Sequence, residues 1–356
     1  MSERKLTRRN FFQGLAALGA VAAYAKAPAY AKAPASAKAS AGRSVGRPLI
    51  VSTWRWGKAA NEKAAEVLAG GGSLLDAVEK GINTVELNPE VMTVGYGSIP
   101  NEEGVLQLDA AIMDGATHQA GAVAALEKIP TPISVARRVM ERTTHTLLGG
   151  QGALRFAVGE GFEPQQLLTP KALERWEQWR KEPKRKRFRR SSRTATGGPA
   201  SAQARVGEPV GEEAADTITM VALDAAGNLA AGGSTSGLRW KIPGRIGDVS
   251  LIGCGIYVDN TVGAAGATGN GDEMIKFCTS MAIVERMRQG LTPQAACEAV
   301  LSWMVETHPA NKNIQACVYA VSKRGEFGAA SIRAKDFTYA VWQPGGSELR
   351  VAKSIL

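Results

Sequence analysis

The residue best suited to chemistry in this sequence is Thr217, which follows about 35 residues without apolar periodicity and opens a run with strand character. A threonine can act as a nucleophile without a histidine if its own α-amino group is the base, and that group exists only after the preceding peptide bond is cut. An α-amine has a pKa of about 8, so it can accept the hydroxyl proton near neutral pH. Cleavage after Asp216 would leave Thr217 at the start of a rigid strand. An ordinary threonine at a loop-to-strand junction is the alternative, because Asp-Thr is common in turns.

Other catalytic devices have little support in the sequence. A Ser-His-Asp triad needs a histidine base, and the chain has three histidines: His118, His145 and His308. None accompanies a Gly-x-Ser-x-Gly turn before a helix, so structural roles are expected for all three. The four cysteines lack the Cys-x-x-Cys spacing of a metal site, which leaves one disulfide or buried thiols open: Cys254, Cys278, Cys297 and Cys317. The sequence predicts neither a metal nor a cofactor.

The net charge of +10 comes from two segments outside the expected globular body. Residues 1–47 and 180–193 each contain nine basic residues and one acidic residue, which leaves about −6 for the remainder. The basic run 184–190 could neutralise several phosphates, so an anionic-polymer binder is the alternative from a different functional class. Charge runs are more often solvated segments, and Phe188 is the only aromatic residue in this one. No specific nucleic-acid binding is therefore expected.

The N-terminal residues are typical of an export signal. Paired arginines lie within Thr7 to Phe12, an apolar run covers 14–25, and Ala-x-Ala cleavage options end at Ala25 and Ala31. The paired arginines favour a twin-arginine signal, with an ordinary secretory signal as the alternative. The apolar run is too short for a permanent membrane span. The sequence predicts a signal peptide at 1–25, a low-complexity linker at 26–47, and a periplasmic or secreted protein.

The rest of the chain mixes strand and helix patterns, which predicts an α+β domain with helices outside a sheet sandwich. The expected helices cover 61–68, a segment opening with a capping box at Ser73 and Asp76, 132–142, 272–289 and 293–308. The expected strands cover 49–53, 105–108, 110–113, 218–223, 229–231, 251–258, 315–322 and 328–332. A glycine-rich bend is expected at 263–271, and a basic, disordered linker at 180–216.

Several motifs downstream of Thr217 resemble the glycosylasparaginase family. They are GGSTSG at 232–237, GRIGD at 244–248 and AGATGNGD at 265–272. Upstream, VSTW at 51–54, LDAAIMDG at 108–115 and TTHTLL at 143–148 extend the similarity from about Pro48 to the end of the chain. The resemblance implies a four-layer αββα sandwich of the N-terminal-nucleophile type. It also implies a precursor that cleaves itself into an α chain (48–216) and a β chain (217–356), which assemble as a heterotetramer of two of each.

The resemblance also implies a reaction and roles for individual residues. After release from Asp216, Thr217 would attack the side-chain amide of a glycosylated asparagine and form a β-aspartyl ester. Arg245 matches the residue that grips the substrate α-carboxylate, a task suited to a planar guanidinium, and Asp248 matches the partner of the α-ammonium. Thr235 matches the residue that hydrogen-bonds the nucleophile and assists self-cleavage.

Further matches concern the oxyanion site, the pocket mouth and a disulfide. Thr268 and Gly269 match the family's oxyanion hole, made of a hydroxyl and a backbone N–H. Trp54 matches an aromatic residue at the pocket mouth; a buried core tryptophan is the alternative. Cys297 and Cys317 match a disulfide pair of the family.

The sequence departs from the family pattern around the cleavage junction. Ala215 stands where histidine is usual, Thr219 where glycine is usual, and Ser236 where asparagine is frequent. These differences bear on the rate of self-cleavage more than on hydrolysis. Plant-type asparaginases and isoaspartyl peptidases share the nucleophile, so an L-asparaginase or isoaspartyl peptidase is the alternative activity. The form of the 267–272 segment favours the sugar-linked substrate.

Overall fold

The computed structural model of the protein describes residues 48–181, 217–334 and 337–356. The first of these ranges contains β1 (Leu49–Thr53), α1 (Gly57–Ala69), α2 (Leu74–Glu86), β2 (Leu108–Asp114), β3 (Ala120–Leu126), α3 (Pro132–Arg142), β4 (Leu147–Gly149), α4 (Gly150–Gly159) and α5 (Pro170–Lys181). The other ranges contain β5 (Thr217–Leu223), β6 (Leu229–Thr235), β7 (Ile256–Asp259), β8 (Gly263–Gly269), α6 (Gly271–Phe277), α7 (Thr279–Arg288), α8 (Pro293–Thr307), β9 (Ala316–Ser322), β10 (Phe327–Ile332), β11 (Thr338–Gln343), β12 (Gly346–Val351) and β13 (Lys353–Ser354). The predicted α+β class is confirmed.

The strands form two sheets. Eight strands pair in the order β12-β11-β1-β5-β6-β2-β3-β4, and five pair in the order β13-β10-β9-β8-β7. Strand β5, which begins with Thr217, lies between β1 and β6 in the middle of the larger sheet. Thr217 is directly opposite Thr235, and Thr235 is directly opposite Asp109 on β2. Three polar side chains therefore stand at the same level on three adjacent strands.

Because side chains alternate between the two faces of each strand, the apolar residues form three separate cores. On β5, Ile218, Met220 and Ala222 pack with helices α1 to α3 on one face of the larger sheet. Val221 and Leu223 face the opposite way and pack with residues of β7, β8 and β9 from the smaller sheet. A third core lies between the other face of the smaller sheet and helices α7 and α8. Period-two alternation makes each strand bury side chains on both faces, which keeps the central strands rigid.

Local sequence signals predicted several elements well. Strand β1 and helix α3 have the expected bounds, and α8 ends one residue before the expected position. The capping box is confirmed, because the Ser73 hydroxyl accepts the Asp76 N–H while the Asp76 carboxylate accepts the Ser73 N–H. The hairpin of β5 and β6 is also confirmed.

The expected glycine-rich bend at 263–271 is wrong, because residues 263–269 form strand β8 inside the smaller sheet. The alanines and glycines there lack strand propensity, yet the space admits little else. A Cβ added to Gly266 would come 2.7 Å from the Tyr319 ring, and one added to Gly263 would come 2.4 Å from the Val321 carbonyl oxygen. Close approach of neighbouring chains therefore decides this element.

The expected strand at 251–258 is wrong over its first half, because the chain there turns around the carbonyl oxygen of Asp248. That oxygen accepts the N–H groups of Leu251 and Gly255 at 3.0 Å each. Strand β7 begins only at Ile256. Likewise, the expected strand at 105–108 is wrong over 105–107; β2 begins at Leu108 and runs unbroken to Asp114.

The expected helix 272–289 is divided at Cys278, which has left-handed dihedral angles (φ 45°, ψ 52°). The carbonyl groups of Gly253 and Cys254 accept the N–H groups of Met281 and Ser280, which lie in the first turn of α7. These contacts direct the second helix away from the axis of the first. No glycine or proline marks the break in the sequence.

The disulfide between Cys297 and Cys317 is not formed. Cys297, on α8, belongs to the core shared by the outer helices and β9 residues such as Val318. Cys317 belongs to the core between the two sheets, together with Tyr319. Because neighbouring positions of β9 face opposite sides, the sheet separates the two sulfur atoms.

Some predictions fall outside the described residues. These are the signal peptide at 1–25, the linker at 26–47, the part of the basic linker from 182 to 216, the anionic-polymer surface at 184–190, and the junction residues Ala215 and Asp216. Within the described ranges, no helix is long and apolar enough to cross a membrane.

Candidate active site

Thr217 is held in a defined position at the start of β5. It is 4% exposed, and its carbonyl oxygen accepts a hydrogen bond of 2.7 Å from the Thr53 hydroxyl. The same hydroxyl oxygen accepts the Thr219 N–H at 2.9 Å. The Thr53 side chain thus binds the backbone on both sides of Ile218, which fixes the backbone conformation at the start of the strand. Thr219 is buried and fits this arrangement without disturbing the strand.

Thr217 opens onto a small cavity. Its lining residues come from β5, the end of β6 and the loop after it, the turn around Arg245, and the end of β8: Thr217, Thr235, Gly237, Leu238, Arg245, Gly247, Asp248, Gly269 and Gly271. Five of the residues singled out in the sequence therefore line one space. The tertiary structure brings them together from the start of β5 and from three separate motifs downstream of it.

Thr235 ends β6 beside Thr217, and its hydroxyl oxygen accepts the Gly237 N–H at 3.0 Å. The next residue, Ser236, donates both its N–H and its hydroxyl to the carbonyl oxygen of Thr93, at 2.9 and 3.0 Å. These bonds tie the end of β6 to the loop 87–107 of the preceding half. Ser236 therefore holds the backbone in place and does not line the cavity.

Arg245 forms an ion pair with Asp272 at the edge of the cavity. The two carboxylate oxygens lie 3.3 Å from Nε and 3.1 Å from Nη2. The remaining nitrogen, Nη1, is the guanidinium atom nearest to Gly237 and Gly247, which both line the cavity. Asp272 thus orients the guanidinium while leaving donors for an anionic ligand.

Asp248 is 4% exposed, and its Oδ2 has no hydrogen-bond partner among the described residues. Burial raises the pKa of its carboxyl group to about 6, although the Arg245 charge works in the opposite direction. A buried carboxylate with an unpaired oxygen is costly unless a ligand supplies a donor. An ammonium group entering the cavity would do so, next to the guanidinium that attracts a carboxylate.

Thr268 and Gly269 end strand β8. Thr268 is fully buried and is not among the residues that line the cavity; its Oγ1 has no hydrogen-bond partner among the described residues, so its hydroxyl is available to donate to a ligand. Gly269 has a φ of +120°, and a Cβ there would come 2.4 Å from the carbonyl oxygen of Gln315. Only glycine allows the backbone to pass at this point.

Trp54 does not line the cavity. It has a left-handed φ of 63° and packs edge-on against Phe337 at a centroid distance of 4.9 Å, next to the core between the sheets. Within the described residues, no group of three or more histidine, cysteine, aspartate or glutamate side chains could hold a metal ion.

Sequence reasoning missed two residues that shape the site. Thr53 belongs to the VSTW motif and Asp272 ends the glycine-rich motif, but the sequence predicts no role for either residue. Neither has a local signal, because each acts on a residue far along the chain: Thr53 on Thr217 and Asp272 on Arg245.

Comparison with known proteins agrees with this geometry. A profile described as asparaginase matches residues 48–347. An N(4)-(β-N-acetylglucosaminyl)-L-asparaginase from Elizabethkingia miricola is 41% identical over 311 residues, which cover 86% of this chain and 85% of that protein. Enzymes of the same name from Rattus norvegicus and Mus musculus are each 40% identical over 82% of this chain and 86% of their own length. The chain therefore belongs to the glycosylasparaginase family of asparaginases.

Proposed function

We propose that this chain is a threonine N-terminal-nucleophile hydrolase that cleaves the side-chain amide of N4-(β-N-acetylglucosaminyl)-L-asparagine. The observation that carries the proposal is that Thr217, Arg245 and Asp248 line one cavity. The names of the relatives supply the substrate: similar enzymes in three organisms are named for this amide.

Self-cleavage comes first in the proposed sequence. The Thr217 hydroxyl attacks the carbonyl carbon of Asp216, the C–N bond breaks, and an ester replaces the peptide bond. The break of the C–N bond frees the Thr217 α-amine, which takes up the hydroxyl proton. Water then hydrolyses the ester, which restores the Thr217 hydroxyl and leaves Asp216 with a C-terminal carboxylate. Thr53 supports this step, because it binds the Thr217 carbonyl group and keeps the backbone from rotating with the migrating acyl group.

In the hydrolytic reaction, the Thr217 α-amine accepts the hydroxyl proton while Oγ1 attacks the substrate amide carbon. The negative charge that develops on the carbonyl oxygen is stabilised by the Thr268 hydroxyl and the Gly269 N–H, and the unpartnered, buried Thr268 Oγ1 supports this role. The glycosylamine leaves with a proton. Water hydrolyses the β-aspartyl ester, releases aspartate and restores Thr217.

The substrate head group is recognised by opposite charges. Arg245 binds the α-carboxylate through donors not used by Asp272, and Asp248 accepts from the α-ammonium. This pair selects an amino acid over a simple amide. It also accounts for the alternative activity, since free asparagine and isoaspartyl peptides carry the same head group, and the matching family profile is described as asparaginase.

The finer architecture and the setting are part of the proposal. The three cores, with helices outside two facing sheets, support a four-layer αββα sandwich of the N-terminal-nucleophile type. We assign the α chain to 48–216, the β chain to 217–356 and the assembly to a heterotetramer. The paired arginines and apolar run within 1–25 support export to the periplasm by a twin-arginine signal.

The proposal is tested on one purified preparation. We expect two fragments on a denaturing gel, the smaller one beginning Thr-Ile-Thr-Met-Val, and turnover of glycosyl-asparagine. The Thr217→Ala variant should stay uncut and inactive, whereas Thr217→Ser keeps a hydroxyl and should cleave slowly. An uncut wild-type chain with full activity contradicts the nucleophile. Faster turnover of free asparagine or isoaspartyl dipeptides than of glycosyl-asparagine contradicts the substrate.

A further inference from the structure

The turn that carries Arg245 is held at both ends by two side chains, one from the residue that precedes β2 and one from β2 itself. The Gly244 N–H donates to Gln107 Oε1 at 2.9 Å, and the Gly247 N–H donates to Asp109 Oδ2 at 3.3 Å. Arg245 lies between these two anchors. The position of the guanidinium in the cavity therefore depends on residues about 138 positions earlier in the chain.

Asp109 lies at an irregularity in the pairing of β2 with β3. Leu108 is opposite Leu126, but Ala110 is opposite Val123, so one residue of β2 faces two residues of β3. Ala125, one of the two, has a left-handed φ of 49° and donates its N–H to Asp109 Oδ1 at 2.7 Å. Bulges near functional sites redirect a side chain, and a left-handed alanine is strained. The strand is therefore distorted at the point where Asp109 reaches the Arg245 turn.

Lys241 supplies the balancing charge. Its Nζ lies 3.7 Å from Asp109 Oδ2 and donates to the Gln107 carbonyl oxygen at 3.1 Å. Asp109 is fully buried and Lys241 is 1% exposed. A buried ion pair of this kind is a poor source of stability compared with apolar packing, but loss of one partner leaves an unpaired buried charge. A contribution to stability therefore does not by itself account for this pair beside the cavity.

The pair is close to the cavity without lining it. A Cβ built at Gly237, which does line the cavity, would come 3.1 Å from Lys241 Nζ and 3.2 Å from Arg245 Nη1. Neither Asp109 nor Lys241 is among the lining residues. They can act on a ligand only through the backbone turn and through Arg245.

We propose that Asp109 and Lys241, with Gln107, are positioning residues that fix the Arg245 turn for recognition of the substrate α-carboxylate. The inference rests on the proposed function, because it assigns the ligand of Arg245. A displacement of about 1 Å in such a group can cost up to about a hundredfold in rate, and a displaced guanidinium also loses the geometry of its paired hydrogen bonds to a carboxylate.

The test compares two ligands that differ only in the group Arg245 binds. L-Aspartate carries the α-carboxylate, and β-alanine is the same molecule without it. Calorimetry gives the dissociation constant of β-alanine divided by that of L-aspartate, for the wild type and for Asp109→Asn and Lys241→Met. We expect each variant to reduce the ratio by at least about tenfold, mainly through weaker binding of aspartate. A purely structural pair would leave the ratio unchanged, even with a lower melting temperature.

Two further variants keep the test decisive. Glu86→Gln alters an equally buried carboxyl group on α2 that does not line the cavity, and should leave the ratio unchanged. Gln107→Met removes the Gly244 anchor at a half-buried position and should reduce the ratio about threefold, which decides the question if Asp109→Asn does not fold.

An unchanged ratio in every folded variant overturns the proposal. Because calorimetry needs no turnover, a wild type that binds aspartate but hydrolyses no amide contradicts the proposed function and leaves this test intact.

Discussion

The hydroxyl of Thr53 joins two backbone groups of the strand that begins with Thr217: it donates to the Thr217 carbonyl oxygen at 2.7 Å and accepts the Thr219 N–H at 2.9 Å. The two threonines are 164 residues apart in sequence. In the proposed cleavage they belong to different chains, so this hydrogen bond also fastens the new N-terminus to the α chain.

Replacement of Thr53 by valine keeps the shape of the side chain and removes the hydroxyl. Two buried backbone groups then lose their partner, at a cost of roughly 1–3 kcal/mol each. We expect self-cleavage to slow by at least about tenfold, measured as the uncut fraction on denaturing gels over time. Thr53→Ser, which keeps the hydroxyl, is the control. Cleavage of the valine variant at the wild-type rate would show that Thr53 has no part in the step.

Asp272 orients Arg245 from the exposed side of the cavity, and its side chain is 52% exposed. Exposed ion pairs contribute about 0.2–1 kcal/mol, so Asp272→Asn should raise KM by up to about fivefold with little change in kcat. The matched control is Asp259→Asn, which removes the partner of Arg288 on the smaller sheet outside the cavity. A lower KM in Asp272→Asn would mean that Asp272 competes with the substrate for Arg245 instead of orienting it.

The pH profile should report on Asp248, whose pKa burial raises to about 6. Below that pH the carboxyl group is protonated and no longer attracts an ammonium group. We expect kcat/KM to fall as pH decreases through about 6, with kcat less affected. Asp248→Asn should lose this limb together with at least about a hundredfold in kcat/KM, while its melting temperature at pH 8 rises, because a buried charge is removed. A melting temperature below that of the wild type contradicts the cost assigned to the charge.

Glu86 should control the pH dependence of stability. It is fully buried on α2, and burial raises its pKa to about 7, although hydrogen bonds from the Ile133 N–H and the Asn83 amide favour the charged form. Between its ordinary pKa of 4.5 and about 7, the folded state binds more protons than the unfolded state. The free energy of unfolding therefore falls as pH rises through this range, by about 3 kcal/mol. Denaturant unfolding of Glu86→Gln should show a flatter profile, and an unchanged slope would exclude Glu86 as its source.

The sequence by itself determined the features that depend on local pattern and on residue type. Apolar periodicity and the capping box at Ser73 located α2, and β-branched runs located β1 and β5, because a helix or strand must present its apolar residues with its own period. The Arg245 and Asp248 motif, the Thr268 and Gly269 motif and the strand start at Thr217 could be recognised without coordinates. The resemblance also implied a disulfide between the matched pair of cysteines, and the structure corrected that expectation.

Only the tertiary structure decided what depends on contacts between distant segments. The small residues at 263–269 form a strand because the Tyr319 ring and the β9 backbone leave no room for larger ones, and α6 and α7 separate at Cys278 because carbonyl groups of 253 and 254 bind the start of α7. The roles of Thr53, Asp272, Asp109 and Lys241 have the same origin. Each acts through a hydrogen bond or charge on a residue that folding brings close, and sequence spacing carries no record of such a contact.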